Sequence, residues 1–434
     1  MAGFTVANLR PRLGQKLGPY VSGTADGSGS TTTILKDAGV LDRYADNLLR
    51  GRWIYFTSGS DSGTWRHLSA SDQSDATITW VGAISTAPHS VTYEIYQFEP
   101  DMMAQALRDA AKVLYAEGLL SARRDLVVAV ANSPVRDPAF TDWTTSTGLN
   151  TSFWTANTSS VAQQTSNSRL GGFTCRVQTS NGNIETVVSN PDFMNDLEDN
   201  TFTVKAIVKT ATAASGAVGF YDGTSNTKSS YHTGGGAWEV LEKEITGFTA
   251  QAANPSVRVF RDSGGSIDVG LVWVKSGIDL REYALPTLLP SGPDEVWLSR
   301  DLAEKMYATP GRALWDRLDN WHFRQGHQVG SFKAQESIWF DSSLPGEYLI
   351  RAVGSAPVLV STTDADTVEI EEEDTEILLA QAVIELVSRM RRGGTSLPSS
   401  LSGIEAEATA TLSRLRQKNL EAGSGIALPL GWGF

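Results

Sequence analysis

The chain has a single cysteine, Cys175, in 434 residues, so no intrachain disulfide framework can hold it together. Cys175 sits in an alternating apolar pattern and reads as a small buried hydrophobe. Positive charge is scarce: 36 Lys and Arg against 49 Asp and Glu give a formal net charge of −13. A protein that wraps nucleic acid needs a basic face, so that class is excluded. No apolar run approaches the roughly 20 residues of a membrane span. Met1–Arg12 has no apolar core of signal-peptide length, so the expectation is folding in a reducing cytosol.

Catalytic signals are also missing. Of five histidines (His67, His89, His232, His322, His327), the pair His322 and His327 is five residues apart across Gly326, which does not match a helical metal pair. There is no nucleophile elbow and no phosphate-binding loop with its Lys; Gly234-Gly235-Gly236 reads as a turn. The run Glu371-Glu372-Glu373-Asp374 reads as a solvated helix start. Paired carboxylates in a context suited to glycoside hydrolysis are absent too. The expectation is a protein that is not an enzyme.

What is present divides the chain. In residues 1–50, Leu35, Val40, Leu41, Tyr44, Leu48 and Leu49 suggest one or two small helices, and Thr24–Thr33 is a loop. Trp53–Phe56, Trp65–Leu68, Thr77–Trp80 and Val91–Tyr96 read as short strands of a small sheet. Pro100 and Asp101 open a helix over about 100–120, with Met103, Ala106, Leu107, Ala110, Val113 and Leu114 on its apolar stripe. Two late helices follow, 374–392 and 402–421. The first is apolar on more than one face through Ile377, Leu378, Val383 and Val387, and stops at Arg389–Gly394. Between these parts, Ser133–Asp279 carries seven or more short alternating strands, among them Phe202–Val208, Ala237–Ile245 and Ile267–Val274, which imply a β-sandwich. The fold class is therefore α+β: a discontinuous scaffold domain, 1–132 with 280–434, an inserted jelly-roll sandwich, 133–279, and a C-terminal arm, 423–434.

The inserted stretch resembles the carbohydrate-binding-module type of jelly roll. The likeness rests on Asp137-Pro138-Ala139-Phe140 with Trp143, Thr201–Lys209, Gly236-Ala237-Trp238 and Ile267-Asp268-Val269. Sugar binding needs aromatic faces; Trp143 and Trp238 read as core or edge, whereas Trp154, Tyr221 and Tyr231 are the candidate glycan-binding residues. The resemblance implies a structural calcium as an optional feature, with oxygen ligands from Asp137, Asp142, Asp262 and Asp268. No dedicated metal-loop spacing occurs, so no cofactor is expected.

The scaffold resembles the head-to-tail connector or adaptor class of tailed-bacteriophage neck proteins, on Gly51–Gly59 with Val91–Tyr96, the helix from Pro100 to Leu120, and the late helix pair. The resemblance implies a virion structural protein assembled in the host cytoplasm. It forms a ring of identical subunits, twelvefold in most such necks, docked between portal protein and tail or tail-adaptor protein. Genome DNA passes through without tight binding, as a negative wall would allow. Leu428, Leu430, Trp432 and Phe434 of the arm would anchor on the portal or a neighbouring subunit, and the sandwich would project outward, where a host surface glycan is a candidate partner. The alternative is a receptor- or glycan-binding tail or fibre-associated protein; it lacks the long heptad run through which fibres trimerise.

Overall fold

A computed structural model describes residues 4–165, 173–178, 181–187, 197, 200–247, 255–262, 264–308, 314–327, 335–358, 360, 367–368, 370, 372–392 and 399–421. The chain is mostly β-sheet, with five α-helices among the described residues. It separates into two compact units: 1–122 with 357–434, and 123–356. The cuts therefore fall outside the 132/133 and 279/280 boundaries read from sequence. Residues 123–132 and 280–356 belong with the sandwich, because they build sheets that pack on it.

In the first unit, helix α1 is Val6–Leu17 and α2 is Pro100–Ala116. After the second unit come two long helices of this same unit, Glu372–Arg392 and Ser399–Glu421. The apolar stripes of all four meet in one core: Leu9 and Leu13 from α1, Leu107 and Leu114 from α2, Leu378 and Leu386 from the first late helix, Leu401 and Leu412 from the second. Burying side chains of this size stabilises by roughly 1.5–3 kcal/mol each. Charged residues stitch the rim: Arg389 to Asp109, Arg391 to Glu405, Arg416 to Glu117, and Lys16 to Glu376 at 2.7 Å.

Helix α1 is not where the sequence suggested one. Leu35 lies on the strand Ile34–Lys36, and Leu41–Arg43 is a single 3-10 turn. The helix sits upstream despite Pro11 and Gly14. Gly14 is needed there, since a Cβ would meet the Tyr96 ring at 2.7 Å. A six-stranded antiparallel sheet runs in the order Val21–Thr24, Thr92–Tyr96, Trp53–Phe56, Trp65–Asp72, Thr77–Trp80, Ile34–Lys36, around Leu35, Ile54, Phe56, Leu68, Ile78 and Ile95. Arg10 ties α1 to it: the guanidinium is buried 3.7 Å above the Tyr55 ring, and Nη2 lies 3.7 Å from Glu94.

The second unit contains a β-sandwich of two five-stranded sheets. One has the order Val161–Gln164, Thr174–Val177, Ile267–Lys275, Phe202–Lys209, Trp238–Ile245; the other Thr155–Asn157, Gly182–Val187, Ser256–Arg261, Gly216–Tyr221, Asn226–Lys228. Inward residues Cys175, Val204, Val208, Ile184, Val218, Phe220, Val257 and Val259 fill the space between. The first sheet is buried on its far side too. There Ile207, Leu271 and Trp273 pack under Val127, Val130, Leu349 and a short helix α3, Ala303–Ala308. Gly270 permits this approach, because a Cβ would meet Tyr307 Oη at 1.9 Å. That covering layer is a four-stranded sheet of Trp315–Leu318, Glu295–Leu302, Tyr348–Ala356 and Ala122–Val130, hence the position of the unit's boundaries.

Helix α4 is Glu372–Arg392 and α5 is Ser399–Glu421, close to the 374–392 and 402–421 read from sequence. The arm residues Leu428, Leu430, Trp432 and Phe434 lie outside the described residues. No helix among the described residues is long and apolar enough to cross a membrane.

Candidate functional site

Because the first sandwich sheet is covered on both faces, polar side chains gather on the outward face of the second. Period-2 alternation sends Val218, Phe220, Val257 and Val259 inward and Tyr221, Arg258 and Glu185 outward. The register then aligns one row, Thr155–Glu185–Arg258–Gly219–Lys228, and beside it Val187–Ser256–Tyr221–Asn226. Gly219 has no side chain because a Cβ would stand 2.1 Å from the Thr227 carbonyl oxygen.

Arg258 organises this face. Its Nε donates to Glu185 Oε2 at 2.7 Å and its Nη1 to Asn226 Oδ1 at 3.0 Å, while the guanidinium lies 3.8 Å over the Tyr221 ring. Ser256 Oγ also donates to Glu185 Oε2, at 3.0 Å. Alongside, Lys228 Nζ lies 4.3 Å from the Phe260 ring centre and donates to Asp262 Oδ2 at 2.7 Å. Tyr231 Oη donates to the same oxygen at 2.7 Å; that bond to a carboxylate raises the phenol's pKa above its ordinary range. Tyr231 is 43% exposed. The arrangement can offer hydrogen-bond donors and acceptors to a hydroxylated ligand. One face of Tyr221 is already occupied by Arg258, leaving Tyr231 as the exposed ring.

Trp154 is a correction. It is 1% exposed, packs on Phe140 at 4.8 Å between ring centroids, and donates from Nε1 to the Asp137 carbonyl oxygen at 3.0 Å. The turn at Asn150, whose carbonyl accepts from Phe153 and Trp154 N–H, aims the indole into the core. Trp273 is buried as well, while Trp143 and Trp238 are partly buried.

The four aspartates named as possible calcium ligands each accept hydrogen bonds from protein donors. Among the described residues no three acidic, His or Cys side chains group to hold a metal. Asp137 accepts from Thr141 N and Oγ1 at 2.7 and 2.6 Å and from Asp142 N at 3.1 Å. Asp142 accepts from Thr287 N and Oγ1, Asp262 from Lys228 and Tyr231, and Asp268 from Arg176. A cation would have to displace these donors. Burial pushes the Asp137 carboxyl up to about 6, against its three hydrogen bonds.

Two of the histidines have defined partners. His232 is buried; Gly234 N donates to its Nδ1 at 2.8 Å, and its Nε2 lies 3.1 Å from the Ala237 carbonyl oxygen. His322 stacks on Trp339 and bonds Asp341.

No protein-family model and no curated protein matches the chain. Among solved structures it is similar to the N-terminal xylanase 10B of Clostridium thermocellum, with its CBM22-1 and GH10 modules complexed with xylohexaose: 11% identity, 30% of this chain and 27% of that one, TM-score 0.25. The CBM22-1 xylan-binding domain of Paenibacillus barcinonensis Xyn10C is 10% identical over 34% of this chain and 95% of its own, TM-score 0.25. The enzymatically active domain of tailspike protein 4 from bacteriophage CBA120 is 11% identical over 28% of this chain and 19% of its own, TM-score 0.21.

Proposed function

We propose that the chain is a non-catalytic structural protein of a tailed-phage neck, a head-to-tail adaptor whose ring joins portal to tail and passes DNA. The observation that carries this reading is the single core shared by α1, α2, α4 and α5, in which segments from before and after the 123–356 unit meet. A unit closed in this way can bind neighbours while a long excursion is accommodated between its parts. On this reading the fold is α+β with an inserted jelly roll, and Leu428, Leu430, Trp432 and Phe434 reach the portal or an adjacent subunit. The net charge of −13 is in keeping with a wall that does not grip DNA. Electron microscopy of the purified chain, alone and mixed with its portal, tests it. Closed rings, or rings formed on the portal, are expected; a chain that stays monomeric and never binds a portal overturns it.

A second reading is favoured by the outward row of Glu185, Arg258 and Asn226 beside exposed Tyr231. Here the β unit binds a neutral glycan through hydrogen bonds. Titration calorimetry with soluble polysaccharides, repeated on Arg258→Ala and Tyr231→Ala, checks it; heats unchanged by either substitution count against this face.

A further inference from the structure

On α5 the residues Ile404, Glu407, Ala408 and Thr411 are spaced i, i+3, i+4 and i+7, so they share one face. That face meets Ala380 and Val383, three residues apart on α4. Alanine at 380 and 408 is too small to bridge the two helices, and a cleft of about 300 Å³ remains, bordered by Gln15 and Lys16 of α1. Ala380, Val383 and Ala408 are buried and make an apolar floor, whereas Glu407 and Lys16 are exposed at the rim. This is the small end of the size range for ligand pockets, and an apolar floor with a few polar groups is their usual lining.

Charge selects the ligand. Lys16 is already neutralised, its Nζ 2.7 Å from Glu376 Oε2. Further along the helix Glu405 pairs with Arg391, and Arg416 with Glu117. Glu407 has no such partner among the described residues. Lys16, Glu376 and Glu407 together are one ammonium and two carboxylates, a net −1. An anion would face Glu407 and would have to take Lys16 from Glu376. A neutral apolar molecule would leave the carboxylate unused. A primary ammonium meets both conditions: its three N–H groups suit the Glu407 carboxylate, with side-chain oxygens of Thr411 and Gln15 as further acceptors on the lining. Its alkyl stem would lie on the floor of Ala380, Val383 and Ala408 beside Ile404.

We propose that the cleft between α1, α4 and α5 binds a small primary alkylamine, with the ammonium at Glu407 and the alkyl chain on the apolar floor. A free amine is favoured over a lysine of another protein because the volume is small and the floor offers nothing to a peptide backbone, whose N–H and C=O groups need partners. This inference does not rest on the neck reading.

Isothermal titration calorimetry on the full chain, with n-hexylammonium chloride as the probe, tests it. Saturable one-to-one binding is expected, about fivefold tighter than 1-hexanol, the margin that an exposed ion pair supplies. Hexanoate should bind more weakly than either. Each methylene added from butyl- to hexylammonium should tighten binding roughly fourfold. Glu407→Gln should bring hexylammonium and hexanol to equal affinity. Ala408→Leu should abolish binding of both; Thr411→Leu, from a half-buried wall position, fills the cleft if Ala408→Leu does not fold. Equal affinities in the parent chain overturn the proposal, as do the absence of saturable heat and binding that survives a cleft-filling substitution in a folded chain. A capped tripeptide with lysine at its centre that binds more tightly than hexylammonium overturns the free amine as occupant. A chain that binds hexylammonium as expected yet never binds a portal fails the neck reading alone.

Discussion

The two units solve the same problem differently. The helical unit is discontinuous in sequence and is held by apolar stripes, with its helix-to-helix ion pairs at the rim: the Arg12 and Glu372 side chains, for example, are 40% and 68% exposed, and one pair, Arg10 with Glu94, is buried where α1 meets the sheet. The β unit is one continuous stretch, and its interior ionic cluster joins more groups. Lys205 Nζ lies 3.2 Å from Glu347, whose other oxygen takes Lys275 at 2.9 Å and whose Oε1 also accepts from Trp273 Nε1 at 3.3 Å. Burial alone would raise the Glu347 carboxyl, but bonds from Lys275, Lys205 and Trp273 bring it below its ordinary range. The helical unit therefore depends on distant segments meeting, and the β unit on internal pairs being complete.

The strongest way to break this contrast is to separate the segments. Residues 1–122 alone should fail to fold, losing the helices against which α2 packs, whereas 123–356 alone should fold; far-UV circular dichroism and limited proteolysis decide. A protease-resistant 1–122 would dissolve the distinction. Next, Leu107→Ala in the helical core should cost about 2–5 kcal/mol, read from denaturant unfolding, with the β-unit transition unmoved. Glu347→Gln should cost the β unit about 1–3 kcal/mol, because Lys205 keeps only Glu242 and Glu304, at 3.7 and 3.8 Å.

A smaller effect concerns pH. Asp137 folds with its carboxyl raised to about 6, above the unfolded carboxylate value of about 3.9. Its contribution is therefore complete below the unfolded value and is lost as pH rises through 6. The melting temperature of the parent relative to Asp137→Asn should thus rise as pH falls from about 7 to about 4; a pH-independent difference rejects the buried-carboxyl account. Smallest of all, Tyr231→Phe removes an exposed bond to Asp262 and should change stability by less than about 1 kcal/mol, while glycan titration of the same variant shows whether that hydroxyl serves a ligand.

Much of this was legible. Alternation marked strands such as Phe202–Lys209 and Ile267–Lys275, and 3.6-residue stripes marked α2, α4 and α5. Helix α1 was not read from the sequence; it carries Pro11 and Gly14, residues that disfavour a helix interior, and Gly14 is there for the Tyr96 ring. On the candidate face, Tyr221 and Tyr231 stood out as aromatics, but Glu185, Arg258 and Asn226 did not. Their signal was present, charged or amide residues at outward strand positions, but which strands adjoin is set by register. Trp154 misled because a loop-like context says nothing about which way a turn points its side chain.

The sequence by itself determined the absence of disulfides, the acidic balance, the periodicity of most elements and the break between a helical part and a β-rich part, since these depend on residue type and near-neighbour spacing. Only the tertiary structure decided where the units divide, which sandwich face is left uncovered, and that small residues on α4 and α5 leave a cleft. Those outcomes depend on pairings between residues far apart in the chain, whose free energies come from burial and register that no local window contains.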